Sequence, residues 1–184
     1  MKKKVLFLVV FAIVFYGVTS CKDEKENHKE KWMITNTGAI NAIRGNPEYK
    51  EIKSLSNEGS IFYKVLKAGD GKDPILFTSY VQTYYKGWYI ADYPQYNIKS
   101  GNTFDRLLFD DGPPLSFQVG YGGLITGWVT ALQRMVKGDK WEIWIPYQLA
   151  YGRDDYQKSG RPPVPGYSTL VFELEVVNVS NKTQ

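Results

Sequence analysis

FQVGYGGLITGWVTALQRMVKGDKWEIWIP, residues 117–146, is the stretch on which the fold turns. Trp128, Leu132 and Met135 recur in it at i, i+4 and i+7, which puts them on one face of a helix over Gly127–Val136. Gly138 stands where such a helix stops. Beyond it the period shortens to two. Trp141, Ile143 and Ile145 alternate with Lys140, Glu142 and Trp144, the pattern of a half-buried strand.

Short strands surround this helix on both sides. Leu170, Phe172, Leu174 and Val176 alternate with Glu173 and Glu175 and predict a strand. Upstream, Ile61–Leu66 reads as a strand closed by the turn signal Gly69-Asp70-Gly71, and Phe77–Tyr85 as the next. A loop-like stretch from Trp88 to Asn102 carries Tyr89, Tyr93, Pro94 and Tyr96. One helix among several strands predicts an α+β class, an antiparallel curved β-sheet wrapped around one short α-helix. Ahead of it, Asn46-Pro47-Glu48 reads as the start of a short helix running through Ile52 and Leu55.

The N-terminus reads differently. Lys2–Lys4 precede an uncharged apolar run from Val5 to Val18, too short to span a membrane with ease but suited to a secretory signal. Val18-Thr19-Ser20-Cys21 resembles a bacterial lipobox, so residues 1–20 are expected to be a lipoprotein signal peptide and Cys21, the single cysteine, a diacylated first residue. Residues 21–58 then form a charged, disordered tether and a short extension, and 59–180 the domain. Lys22-Asp23-Glu24 after the acylated cysteine resembles a surface-export signal. The expected location is the cell envelope, lipid-anchored to a membrane, with the outer membrane favoured and either the periplasmic side or the cell surface as the face.

Charge and composition exclude several chemistries. Without Lys2–Lys4 the chain holds 20 basic and 19 acidic side chains, so no basic face for nucleic acid is indicated. The only histidine, His28, lies in the charged run Lys22–Lys31, which argues against Ser-His-Asp catalysis and histidine-rich metal sites. Gly120-Tyr121-Gly122-Gly123 lacks the context of a phosphate loop and reads as a turn.

Six segments in register resemble the FKBP-type peptidyl-prolyl cis-trans isomerase family over residues 59–179. They are Gly59–Gly71, Tyr84-Tyr85-Lys86-Gly87, Thr103-Phe104-Asp105, Phe117–Gly120 with Leu124–Trp128, Lys140–Pro146 with Leu149-Ala150-Tyr151-Gly152, and Ser168–Glu173. The resemblance implies a pocket lined by Tyr85, Phe104, Asp105, Leu115, Phe117, Leu124, Ile125, Trp128, Tyr151 and Phe172. It makes Trp128 the floor under a substrate proline, and the Ile125 N–H and Tyr151 hydroxyl donors to substrate carbonyls. Asp105 is expected to be an orienting acceptor, with Tyr85 the candidate donor. Turning a prolyl bond needs no nucleophile, metal or cofactor, so none is expected. The implied partners are proline-containing exported polypeptides, and macrolide inhibitors are candidate ligands.

The sequence departs from the family pattern in places. Sixteen residues separate Gly87 from Phe104, more than compact members carry. Arg106 follows Asp105 where serine is usual, and Leu115 stands at an often aromatic position. The loop from Arg153 to Gly166 holds Pro162, Pro163 and Pro165. Leu115 and the tyrosine-rich insertion motivate an alternative reading, a non-catalytic chaperone or assembly factor binding proline segments on the same fold. Carbohydrate binding by exposed aromatics is a third.

Overall fold

A computed structural model describes residues 24–90 and 103–181. The signal-like run, Cys21, and Tyr93, Pro94 and Tyr96 of the insertion lie outside the described residues. The chain divides into two units after Ile34. Residues 24–44 are helical (α1), and the charged side chains at 24–30 are exposed on it. The predicted tether is therefore solvated, but it takes up helix from residue 24.

Among the described residues of the second unit, seven strands form one antiparallel sheet: β1 (Lys50–Lys53), β2 (Ser60–Lys67), β3 (Tyr80–Tyr89), β4 (Thr103–Leu107), β5 (Leu115–Gln118), β6 (Lys140–Ile145) and β7 (Leu170–Ser180). The order is β1-β2-β6-β7-β3-β4, with β5 on the far part of β3. Helix α2 (Thr126–Leu132) packs on one face. It sits close because Gly127 carries no Cβ: one would lie 2.3 Å from Ile145 Cγ2.

Alternation along the strands sorts the side chains into two cores. Ile61, Ile143, Ile145, Leu170, Phe172 and Leu174 face α2 and its Trp128, Ala131 and Leu132. Phe62, Trp88, Trp144 and Val171 point the other way, where Ala39, Ile40 and Ile43 of α1 cover them.

Four local readings need correction. Trp144 is not on a wet face but 1% exposed, because residues 39–43 lie over it. The helix sketched from Asn46 is a tight turn leading into β1, where Lys50–Lys53 pair with Ser60–Tyr63. Strand β3 starts at Tyr80 and runs on through Trp88 and Tyr89, which were read as loop, because β7 offers it a ladder as far as Leu170. Helix α2 ends at Leu132, although Met135 still reaches the core from the turn beyond.

Candidate functional site

The indole of Trp128 organises the site. Three rings stand on it from three different strands. Tyr85 of β3 lies 5.1 Å away at 80°, Phe172 of β7 at 5.2 Å and 85°, and Phe117 of β5 at 6.1 Å and 50°. The Tyr85 and Phe172 contacts are edge-on, a favoured geometry of aromatic pairs, and Phe117 is tilted. Trp128 is 5% exposed and its Nε1 is buried with no acceptor among the described residues, so the rings packed on it hold the indole in place.

Above the indole opens a cleft of about 310 Å³. Nine of the ten residues singled out from the sequence line it: Tyr85, Asp105, Leu115, Phe117, Leu124, Ile125, Trp128, Tyr151 and Phe172. Phe104 does not. It is buried behind the wall, edge-on to Phe172 at 5.6 Å and to Tyr151 at 6.2 Å. Its task is to back those two rings. Gly87 makes room for the arrangement, since a Cβ there would meet Phe172 Cε1 at 2.4 Å.

The two expected donors are placed differently. Ile125 precedes the first turn of α2 in extended conformation, and its carbonyl accepts from Trp128 and Val129. Its own N–H has no acceptor among the described residues. Tyr151 follows a short 3-10 turn, Tyr147–Leu149, and is half-buried. Burial raises the pKa of its phenol above the ordinary value, and the neighbouring Tyr156 and Tyr85 add to the shift. The hydroxyl therefore stays protonated and able to donate throughout the neutral range.

Asp105 differs from expectation. Among the described residues its carboxylate pairs with the guanidinium of Arg161, not with Tyr85. The physical reason is the 153–166 loop, which folds back over the site. A bridge between Tyr156 and Val164 closes that loop, and Asp155 Oδ1 accepts from the Gly166 N–H at 2.8 Å. It delivers two lining residues that sequence reasoning missed. Tyr156 stacks on Tyr151, centroids 3.7 Å apart and planes 3° from parallel, and Lys158 lies at the rim. No local pattern marks either. The clustered prolines were the only hint that this loop is shaped.

Comparisons with known proteins bear on the fold that carries this cleft. A family model described as FKBP-type peptidyl-prolyl cis-trans isomerase matches residues 72–177. The FKBP-type 22 kDa peptidyl-prolyl cis-trans isomerase of Escherichia coli K12 is 35% identical over 124 residues, 67% of this chain and 52% of that protein. The peptidyl-prolyl cis-trans isomerase Mip of Coxiella burnetii is 34% identical over 141 residues, 76% of this chain and 53% of that one. The chain thus spans about half the length of these curated relatives. The crystal structure of FkpA from Escherichia coli superposes with a TM-score of 0.62 at 27% identity, covering 93% of this chain and 71% of FkpA. That of a peptidyl-prolyl cis-trans isomerase from Pseudomonas syringae gives 0.56 at 25% identity, covering 84% and 92%.

Proposed function

The chain belongs to the FKBP-type peptidyl-prolyl cis-trans isomerase family, and from that premise we propose that it rotates X-Pro bonds of exported polypeptides in the cleft over Trp128. The observation that carries this reading is the open hollow floored by one indole with three rings standing on it.

Resonance holds the prolyl C–N bond planar, with a barrier of about 18–20 kcal/mol. The planar form is the more dipolar, with negative charge on oxygen and positive on nitrogen, and water stabilises it. An aromatic, water-poor cleft withdraws that stabilisation, and the twisted form loses less. Donors set for the twisted geometry add to the difference, and only such differential binding accelerates the step. The free N–H of Ile125 and the protonated hydroxyl of Tyr151 are suited to that role. The pairing with Arg161 holds Asp105 as a structural carboxylate at the wall, away from proton transfer.

The test is catalysed cis-to-trans conversion of X-Pro tetrapeptides. A folded protein that accelerates none of several X residues is not an isomerase. Tyr151→Phe keeps the stacked ring and removes one donor, so kcat is expected to fall about three- to tenfold with KM little changed. Activity should show no titration by this hydroxyl between about pH 6 and 9. Stability has an alkaline signature instead. The unfolded phenol gives up its proton near pH 10 while the folded one keeps it, so stability is full below about pH 10 and declines as pH rises further. Tyr151→Phe should flatten that decline.

The envelope location rests on the lipobox-like Val18-Thr19-Ser20-Cys21. Metabolic palmitate labelling is expected for the full chain and lost in Cys21→Ser. Labelling that persists in that variant overturns the anchor, and protease shaving of intact cells separates a surface from a periplasmic face.

A further inference from the structure

Another face of helix α2 borders a second and larger hollow, about 630 Å³. Its apolar wall includes Ile52, Leu55, Ile75, Leu76, Phe77 and Val129. Leu55 is 82% exposed, Leu76 48% and Phe77 49%, an unusual concentration of bare apolar side chains at one place. The hollow is also joined to the cleft. Tyr121, 71% exposed, stands edge-on to Phe77 at 5.8 Å, and the next two residues, Gly122 and Gly123, line the cleft. An apolar path therefore leads from the proline site over Tyr121 and Phe77 into the hollow.

The charges there have one sign. Lys53 and Arg134 line the hollow with no carboxylate beside them in its wall, and neither side chain has an ionic or hydrogen-bonding partner among the described residues. Such a surface attracts a chain that brings apolar groups together with carboxylates.

We propose that the hollow is a second subsite for the client polypeptide. The chain whose proline occupies the cleft continues over Tyr121 and Phe77 and lays an apolar, acidic flank against Leu55, Leu76, Lys53 and Arg134. This rests on the isomerase reading and extends it: clients are selected by what flanks the proline as well as by the proline itself. The hollow does not touch the rotating bond, so it contributes the same binding to planar and twisted forms. It lowers KM and leaves kcat unchanged.

The test is a series of single-proline peptides of about four, eight and twelve residues, since an extended residue spans about 3.3 Å. The added flank carries Leu and Glu, or Leu and Lys. Lengthening with the Leu/Glu flank is expected to lower KM about tenfold at constant kcat. The Leu/Lys flank should gain less, with the difference shrinking at high salt. Leu55→Ser with Leu76→Ser removes the length effect, and Lys53→Glu with Arg134→Glu reverses the charge preference. Both pairs leave tetrapeptide turnover as it was. Tetrapeptide turnover with a KM independent of length and flank overturns the subsite and leaves the isomerase standing. Loss of a dimer on Leu55→Ser with Leu76→Ser, without any length effect, gives the hollow to a second copy of the chain and also overturns it. Absence of tetrapeptide turnover removes the isomerase reading first, and this one with it.

Discussion

Replacing Trp128 with alanine is expected to lower kcat/KM for an X-Pro tetrapeptide about a hundredfold, the largest activity loss of any single change at the cleft. The indole is the surface on which Tyr85, Phe117 and Phe172 stand, and in the proposed mechanism it is also the floor for the proline ring. Losing it forfeits the apolar contact with the ring, roughly 2–3 kcal/mol, and each 1.4 kcal/mol is about tenfold in rate. The same change opens a cavity in the core and costs about 3–5 kcal/mol of stability. Trp128→Phe separates the two effects. It keeps an aromatic floor and most of the fold, and its kcat/KM should fall only about tenfold, with an unfolding midpoint close to that of the parent. A Trp128→Phe protein as active as the parent would remove the indole from the mechanism.

Trp144→Ala is expected to be the most damaging change away from the cleft, about 3–5 kcal/mol by chemical denaturation. Trp144 is almost wholly buried under Ala39, Ile40 and Ile43, and Tyr49 meets its ring edge-on at 6.2 Å. Its Nε1 donates to Glu142 Oε1 at 2.8 Å, the same oxygen that accepts from the Tyr49 hydroxyl. Truncation leaves a cavity and removes one of the two donors to Glu142 Oε1. Because Trp144 points away from α2, tetrapeptide turnover per folded molecule should stay within about twofold. An unfolding midpoint equal to the parent's would mean that the second core contributes nothing to stability.

Different physical features decided what each stretch of sequence revealed. The helix α2 and strands β6 and β7 are legible because each lays one regular apolar stripe in the core around Trp128, and the period of that stripe names the element. Nine cleft residues are legible only through the family resemblance, whose motifs carry them one by one; Tyr85, Asp105, Leu115 and Phe117 stand on β3, β4 and β5, where no stripe singles them out. The covering helix over residues 35–44 is not legible, because its inward face is broken. Asn36 takes the position one turn before Ala39 and Ile40, and it is buried. Its Oδ1 accepts from the Thr169 N–H at 2.6 Å, and its carbonyl accepts from the Thr169 hydroxyl. A polar group satisfied by a residue 133 positions away looks, in sequence, like a surface residue.

Asp105 and Arg161 repeat the lesson. Asp105 reads as an acceptor from sequence, but nothing local tells that Arg161 will claim it, since a 14-residue loop must first fold over the cleft. Tyr156 reaches Tyr151 by the same route.

By itself the sequence determined the α+β class, the central helix with its tryptophan, and, through its motifs, the family. Those rest on periodicity and on motifs within short reach along the chain. Only the tertiary structure decided that the sheet is covered on both faces, that Phe104 stands behind the cleft wall, and that an apolar path leaves the cleft over Tyr121. Each of these depends on which distant side chains meet, and burial is a property of the pair that meets, which neither partner's neighbours in sequence can specify.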